Sequence, residues 1–481
     1  MQYRSTESAP RKLIHAAQMA NELSQRERPL PVSEAQLAAV LPPVRMLARA
    51  RTVLGYQLGT AARRAVGLLP GLRERLDVPR LQPLRSSSLA MYRFWKLPYG
   101  VAEKPHSLAD VPWEYVRANW DKIPFLGLRE YWYPALQTRQ LKNNCVVPVT
   151  LAGDNLVFFR DGDGVARALE NRCPHRSALL SLGQVGVFRP GTLTCRYHGM
   201  TFDGAGTCVA YLAEPDSPAC GRIRARAYPV QEIGGIVWVY MGDNTPDPVE
   251  QAVPHAATAL SQKHLVVFRA VLPYNYLNQS DAAADLAHFG VLHRNCLPLA
   301  DSKGWGDIDG KTLPGGGLQA YFTEPNRHPG PLHVDKLTYY LPGLIYVGPG
   351  EGYDSFTEHY YFWAVPRDIG SFEAWIVFSG PSGRVSGGVV RTLIRAFIST
   401  PLSRNIPGAD CVYGGDGPMQ MGQGRVVRWD TDQLTRIDRA VSKTRLLLQQ
   451  AHARELADRA QRGQPSRPAP PQESAAPMVE P

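Results

Sequence analysis

Two short segments of this chain carry residues whose types and spacing suit redox chemistry. Cys173-Pro174-His175-Arg176 comes first, and Cys195-Arg196-Tyr197-His198-Gly199 follows, with nineteen residues between His175 and Cys195. Two thiolates and two imidazoles in the order C-x-H, C-x-x-H are what a [2Fe–2S] centre of mixed ligation needs. One iron takes the two Cys and the other the two His, and the neutral imidazoles raise the potential above that of an all-thiolate cluster. Zinc accepts the same four ligands. The flanking residues favour the cluster: Leu193-Thr194 leads into the second loop as a strand would. Gly199-Met200-Thr201-Phe202-Asp203, with Gly204 and Gly206, then reads as the hairpin that follows it.

A second constellation begins with Asp285, 87 residues after His198. Within Asn278 to His293 the core is D-x-x-H-x-x-x-x-H, formed by Asp285, His288 and His293. A separation of three puts Asp285 and His288 on one face of a helix. His293 is five residues beyond His288, a rotation of roughly 140° on an unbroken helix. Gly290 lies between them, where it would end or distort the helix and let both imidazoles converge. Two His and one carboxylate make the facial triad of non-haem Fe(II) oxygenases, which leaves positions open for O₂ and substrate. Two nearby His on a helix are otherwise commonly core or surface residues.

The C-P-H-R and C-R-Y-H-G loops followed by this helix motif resemble the Rieske non-haem iron oxygenases, specifically their catalytic α subunit, over roughly residues 130 to 445. The resemblance implies a Rieske cluster on Cys173, His175, Cys195 and His198, and a mononuclear Fe(II) on His288, His293 and a later Asp. It also implies that Asp285 bridges to a cluster His of the neighbouring subunit, with His198 as that His, in a head-to-tail homotrimer. For the third iron ligand, relatives show an acidic residue, a short apolar stretch, then Gln and Gly. Asp416, with Gln420 and Gln423-Gly424 after it, matches better than Asp410, although the glycines nearby depart from the usual helical pattern. Asp281 is a further departure, since an Asn is common at that place. The loops lack the extra Cys of cytochrome bc-type Rieske proteins, so no disulfide links them and a lower potential is implied.

What must position these residues follows from the rest of the chain. At 481 residues, with 44% hydrophobic residues, it is long enough for two or three cored domains. The expected fold class is α+β: an N-terminal helical, basic extension (1–110), a β-sandwich-like Rieske domain (120–244), an α+β catalytic domain (245–462) and a disordered tail (463–481). Within the second of these, Asn155–Arg160 and Val165–Leu169 read as strands joined by the Asp161-Gly162-Asp163-Gly164 turn. Gly234 to Tyr240 reads as the last buried strand. Beyond it, Leu265–Phe268 reads as a strand and Lys336 to Ser379 as β-rich. A helix from Thr431, with Leu434, Ile437, Val441 and Leu448 on one side, ends the fold. After Arg462, Gly, Pro, Ser and Ala dominate.

No run of eighteen apolar residues is present, and the start Met-Gln-Tyr-Arg-Ser-Thr-Glu lacks an apolar signal core. Five cysteines beyond the two cluster ligands show no framework spacing, so a cytoplasmic location is expected. The net charge of +10 is partly local. Arg residues interleave with apolar ones through 44–69, which suits either a membrane-surface helix or a helix packed on the core with a solvated basic face. Nucleic-acid binding has no supporting motif. Neither G-x-G-x-x-G in strand–helix context nor a plant-type ferredoxin Cys run occurs, so an external NAD(P)H-dependent flavin reductase and a ferredoxin are the expected electron source. The function implied is hydroxylation or oxidative demethylation of an apolar, aromatic small molecule with O₂. The rival reading is a Rieske electron carrier without oxygenase chemistry, which has no use for His288, His293 and a third carboxylate.

Overall fold

The computed structural model describes residues 110–187, 189–256, 260, 265–292, 306–323, 336–348, 359–379 and 416–464. The stretches 33–40 and 44–69, His293, Asp410 and the tail beyond 464 lie outside the described residues. The described residues fall into two units: 288–292 and 416–422 belong to the smaller one, and all the strands belong to the larger.

The larger unit opens with helix α1 (Trp113–Ala118). Eleven strands follow: β1 (Trp132–Gln137), β2 (Val147–Leu151), β3 (Asp154–Arg160), β4 (Ala166–Glu170), β5 (Gln184–Val185), β6 (Leu193–Thr194), β7 (Met200–Phe202), β8 (Cys208–Tyr211), β9 (Ala227–Tyr228), β10 (Val230–Ile233) and β11 (Ile236–Tyr240). They form three antiparallel sheets, ordered β1-β11-β10, β2-β3-β4-β9 and β5-β6-β7-β8. The β3–β4 hairpin forms where the sequence predicts it. Asp161 Oδ1 accepts from the backbone N–H groups of Asp163 and Val165, and Gly164 adopts φ +79°. The expected strand over Gly234–Tyr240 starts two residues late. Gly234 and Gly235 both have positive φ and form the turn of a β10–β11 hairpin instead, as a two-residue connection of this hand requires.

After helix α2 (Val249–Ala252), a seven-stranded antiparallel sheet is built from β12 (Leu265–Leu272), β13 (Ile308–Leu313), β14 (Gly317–Phe322), β15 (Lys336–Tyr340), β16 (Leu344–Val347), β17 (His359–Asp368) and β18 (Ser371–Ser379). Its order is β12-β18-β17-β16-β15-β14-β13, so the first strand closes onto the last. The expected 265–268 strand extends to Leu272 in full register with β18. One face of this sheet shares a core with the first domain's strands: Trp363 of β17 meets Trp238 of β11 edge-on at 5.3 Å.

The helices are α3 (Tyr276–Ala284), α4 (Ala287–Val291), α5 (Gly417–Gly422) and α6 (Arg439–Gln461). The terminal helix does not begin at Thr431 as its apolar spacing suggests. The Thr435 backbone N–H and hydroxyl both donate to Asp438 Oδ2, which fixes a 3₁₀ turn over 436–438, and α6 starts after it. Leu434 and Ile437 are 42% and 39% exposed, while Val441 and Leu448 are buried as expected. None of the described helices is long and apolar enough to cross a membrane.

Candidate redox and metal sites

The first Cys/His loop is closed by its own backbone: the Cys173 N–H donates to the Ala178 carbonyl at 2.8 Å, and Ser177 donates back to Cys173 O at 2.9 Å. The second repeats the device, with Cys195 N–H donating to Met200 O at 2.8 Å and Gly199 N–H to Cys195 O at 3.0 Å. Gly199 has φ +76°, and a Cβ there would lie 2.3 Å from the Leu212 Cβ. Only glycine lets the loop turn back so tightly against β8. Residues beyond β8 brace the loop from the other side, Leu212 N–H donating to Gly199 O and Ala213 N–H to His198 O.

These loops bring all four sequence-predicted residues together in two pairs. The Cys173 and Cys195 thiols are buried and hydrogen-bonded to each other, which holds Cys173 above and Cys195 below the usual thiol range. Metal binding takes both sulfurs in the thiolate form. The His175 and His198 rings lie with centroids 4.8 Å apart. Partial desolvation first, then the neighbouring His175 and Arg176, hold His198 below its ordinary value. Tyr211 packs its ring edge against His175, and Tyr197 lies over His198 at 3.8 Å. Among the described residues, no three His, Cys, Asp or Glu converge on the single point that one zinc ion would fill. A pair of thiols beside a pair of imidazoles suits a two-iron cluster, in which each iron takes one pair.

The second constellation is differently built. Asp285 and His288 do not share a continuous helix: α3 ends at Ala284, Asp285 is its extended cap (φ −94°, ψ 93°), and α4 begins at Ala287. The break falls before His288, and α4 runs through Gly290. Asp285 Oδ1 accepts the Ala287 N–H at 2.9 Å, a turn that orients its carboxylate.

In the smaller unit, His288 Nε2 lies 3.5 Å from Asp416 Oδ1, with both side chains mostly buried. Asp416 sits directly before α5, so the glycines around it do not prevent a helical turn, and Gln420 is buried on that helix. Two bonds of ~2.1 Å to one divalent metal, at angles near 90–110°, span ~3.0–3.4 Å between donor atoms. The pair therefore stands at close to the separation of two ligands on one ion. His293 lies outside the described residues, so the structure brings together two of the three residues expected there.

Asp281 is the clearest site-adjacent residue whose role the sequence left open. One turn before Asp285, it is buried against Arg445 of α6, whose Nε and Nη2 donate to its two oxygens at 3.1 and 2.8 Å. Trp429 Nε1 adds a bond at 3.1 Å, and Arg445 also reaches Asp432. Burial raises Asp281 to about 6 against the pull of Arg445. The extra carboxylate is thus matched by a buried guanidinium rather than left as a local charge. No spacing rule links residues 281 and 445; an Arg at a core-facing position of α6 was the only available signal.

A family model described as the Rieske [2Fe-2S] domain matches residues 131–225, which contain both loops. Over 174 residues the chain is 35% identical to the 3-chlorobenzoate-3,4-dioxygenase oxygenase subunit of Comamonas testosteroni, covering 35% of this chain and 39% of that protein. Over 172 residues it is 32% identical to the 5,5'-dehydrodivanillate O-demethylase oxygenase subunit of Sphingobium sp. (strain NBRC 103272 / SYK-6), again 35% and 39%. The matched stretch spans about two-fifths of the length of these relatives. The fold extends further. A solved reduced complex between oxygenase and ferredoxin of carbazole 1,9a-dioxygenase superposes with a TM-score of 0.56 at 19% identity, covering 75% of this chain and 99% of that one.

Proposed function

We propose that this chain, which joins a Rieske [2Fe–2S] domain to the fold of a Rieske non-haem iron oxygenase catalytic subunit, works as the terminal oxygenase of a Rieske-type system. The observation that carries the reading is the approach of His288 to Asp416 in a chain that also holds a complete Cys₂His₂ pair of loops. A Rieske electron carrier has no use for the first of these. Bound iron would supply one-electron storage at the loops and O₂ activation at the second site.

The chain's own residues account for the rest. Cys173 and Cys195 would hold one iron and His175 and His198 the other. His288, Asp416 and His293 hold the mononuclear ion. Asp285, fixed by the Ala287 N–H, offers a carboxylate to a histidine of the neighbouring subunit's cluster in a homotrimer. The Asp281–Arg445 pair ties α3, and so the approach to Asp285, to α6. Electrons come from a ferredoxin, fed by an NAD(P)H-dependent flavin reductase. The solved oxygenase–ferredoxin complex of the same fold supports the ferredoxin. Relatives named as a dioxygenase subunit and an O-demethylase subunit support hydroxylation or oxidative demethylation of an aromatic molecule; cysteine usage without framework spacing supports the cytoplasm.

Iron and acid-labile sulfide per chain, measured on anaerobically purified protein, test the proposal. We expect about three irons and two sulfides. About two of each, unchanged after Fe(II) is added back, would leave a cluster alone and make the chain an electron carrier.

A further inference from the structure

Of the three cysteines in the Rieske domain that serve neither iron site, Cys145, Cys208 and Cys220, the last two face each other. Cys208 opens β8 and is fully buried, while Cys220 is half-buried in the turn that packs beneath it. The backbone holds the two segments face to face. Thr207 and Arg224 form an antiparallel bridge, Cys208 N–H donates to Ile223 O at 2.9 Å, and Gly221 N–H donates to Cys208 O at 2.8 Å. Cys220 therefore sits one residue from a direct backbone bond to Cys208. Burial first, and then the neighbouring Cys220 thiol, raises the Cys208 thiol above its ordinary value. Cys208 belongs to the core that includes Cys173 and Cys195, and Cys220 packs against it. In this structure both are free thiols.

We propose that Cys208 and Cys220 form an oxidisable dithiol, converted by hydrogen peroxide into an intrachain disulfide behind the cluster loops. Cys220, the more accessible of the two, reacts first: its thiolate attacks one peroxide oxygen, the O–O bond breaks, and a sulfenic acid and hydroxide form. The Cys208 thiol then attacks the Cys220 sulfur, the S–O bond breaks and water leaves. Together, two thiols and one peroxide give one disulfide and two waters, with the sulfur pair losing two electrons to peroxide. The bond joins β8 to the 217–223 turn. Since β8 ends at Tyr211 against His175 and continues into the Leu212 brace on Gly199, it stiffens the strand that backs both loops. The inference needs only the Rieske domain and stands whether or not the oxygenase reading does.

The test uses the cluster-loaded full chain, treated anaerobically with one equivalent of hydrogen peroxide, then alkylated and mapped by mass spectrometry. The cluster's visible absorbance is followed throughout. We expect a Cys208–Cys220 cross-linked peptide and the loss of two titratable thiols while the absorbance persists. Cys220→Ser, a change at a half-buried turn position, should abolish the cross-link and leave Cys208 alkylatable after denaturation. The proposal is overturned if both cysteines remain alkylatable, if Cys220 passes to the sulfinic acid with Cys208 still reduced, or if the cross-link forms only after the absorbance is lost.

Discussion

The two candidate metal regions solve the same problem, holding ligand atoms at fixed separation, with opposite construction. At the cluster loops, each ligand pair lies within three or four residues of chain, and each loop is closed by bonds to its own neighbours. The short β5–β8 sheet supplies the frame. At the second region, His288 and Asp416 are brought to 3.5 Å from positions more than a hundred residues apart, each on or beside a helix of five or six residues. Helices that short have little stability of their own. The loops are self-organised, whereas the His288–Asp416 pair depends on packing supplied from elsewhere. A perturbation should therefore act all-or-none at the first and by degrees at the second.

The largest expected effect is at Gly199. Gly199→Ala places a Cβ 2.3 Å from that of Leu212 at a backbone angle that disfavours side chains. We expect loss of the cluster's visible absorbance and of both sulfides, as complete as in Cys195→Ser. Retention of a normal cluster in Gly199→Ala would show that the loop is not held by its own turn. Next, His288→Ala and Asp416→Ala should each lower iron from about three to about two per chain with sulfide unchanged. Parallel loss of sulfide in either variant would mean that the two regions are not separately built.

The same contrast explains what was legible in sequence. The cluster ligands, their hairpin and the Asp161–Gly164 turn are local, so residue type and spacing suffice to read them. His288 is legible because its motif is short. Asp416 needed a resemblance to be chosen over Asp410, because nothing in one chain says which distant carboxylate folds back. The continuous helix expected through Asp285 and His288 fails because a separation of three is compatible with a helix but does not require one, and Asp285 caps α3 instead. The β13–β14 hairpin was not anticipated, although Pro314-Gly315-Gly316 marks its turn with two positive-φ glycines. The polar helix α3 gives no apolar pattern, yet most of it is buried. Its polar groups find partners far away: Asn275 at its cap donates to Phe125 O and Ile369 O, Tyr276 to Pro124 O, and Ser280 meets Tyr339. Long-range polar satisfaction of this kind leaves no periodic trace.

That dependence on distant partners can be broken at one point. Asp281→Ala leaves Arg445 buried with only Asp432 as its counter-charge, and removing one partner of a buried pair costs about 3–5 kcal/mol. We expect a loss of that order in denaturant unfolding, together with reduced mononuclear iron and an intact cluster. Asp281→Asn keeps the shape but removes the same charge and turns an N–H₂ toward the Arg445 and Trp429 donors, so it should cost nearly as much. A much smaller cost for Asn would show that shape, rather than charge, anchors α3.

The smallest effect sharpens the comparison by touching neither metal region. Glu455 of α6 is half-buried and accepts the backbone N–H groups of Arg129 and Glu130 at 2.8–3.0 Å. Burial nevertheless raises it from 4.5 to about 7, those bonds opposing the shift only in part. The folded state thus binds a proton more tightly than the unfolded one. Its contribution favours folding most below pH 4.5 and is lost as pH rises to about 7. Glu455→Gln keeps an oxygen for the N–H groups and removes the titration. The variant should therefore match the parent near pH 5 and be more stable at pH 8, by on the order of 2–3 kcal/mol for a shift of this size. Thermal unfolding at the two pH values checks this. A variant less stable than the parent at pH 8 would show that the ionised carboxylate is worth more to those two N–H groups than its desolvation costs, and that α6 is held by charge after all.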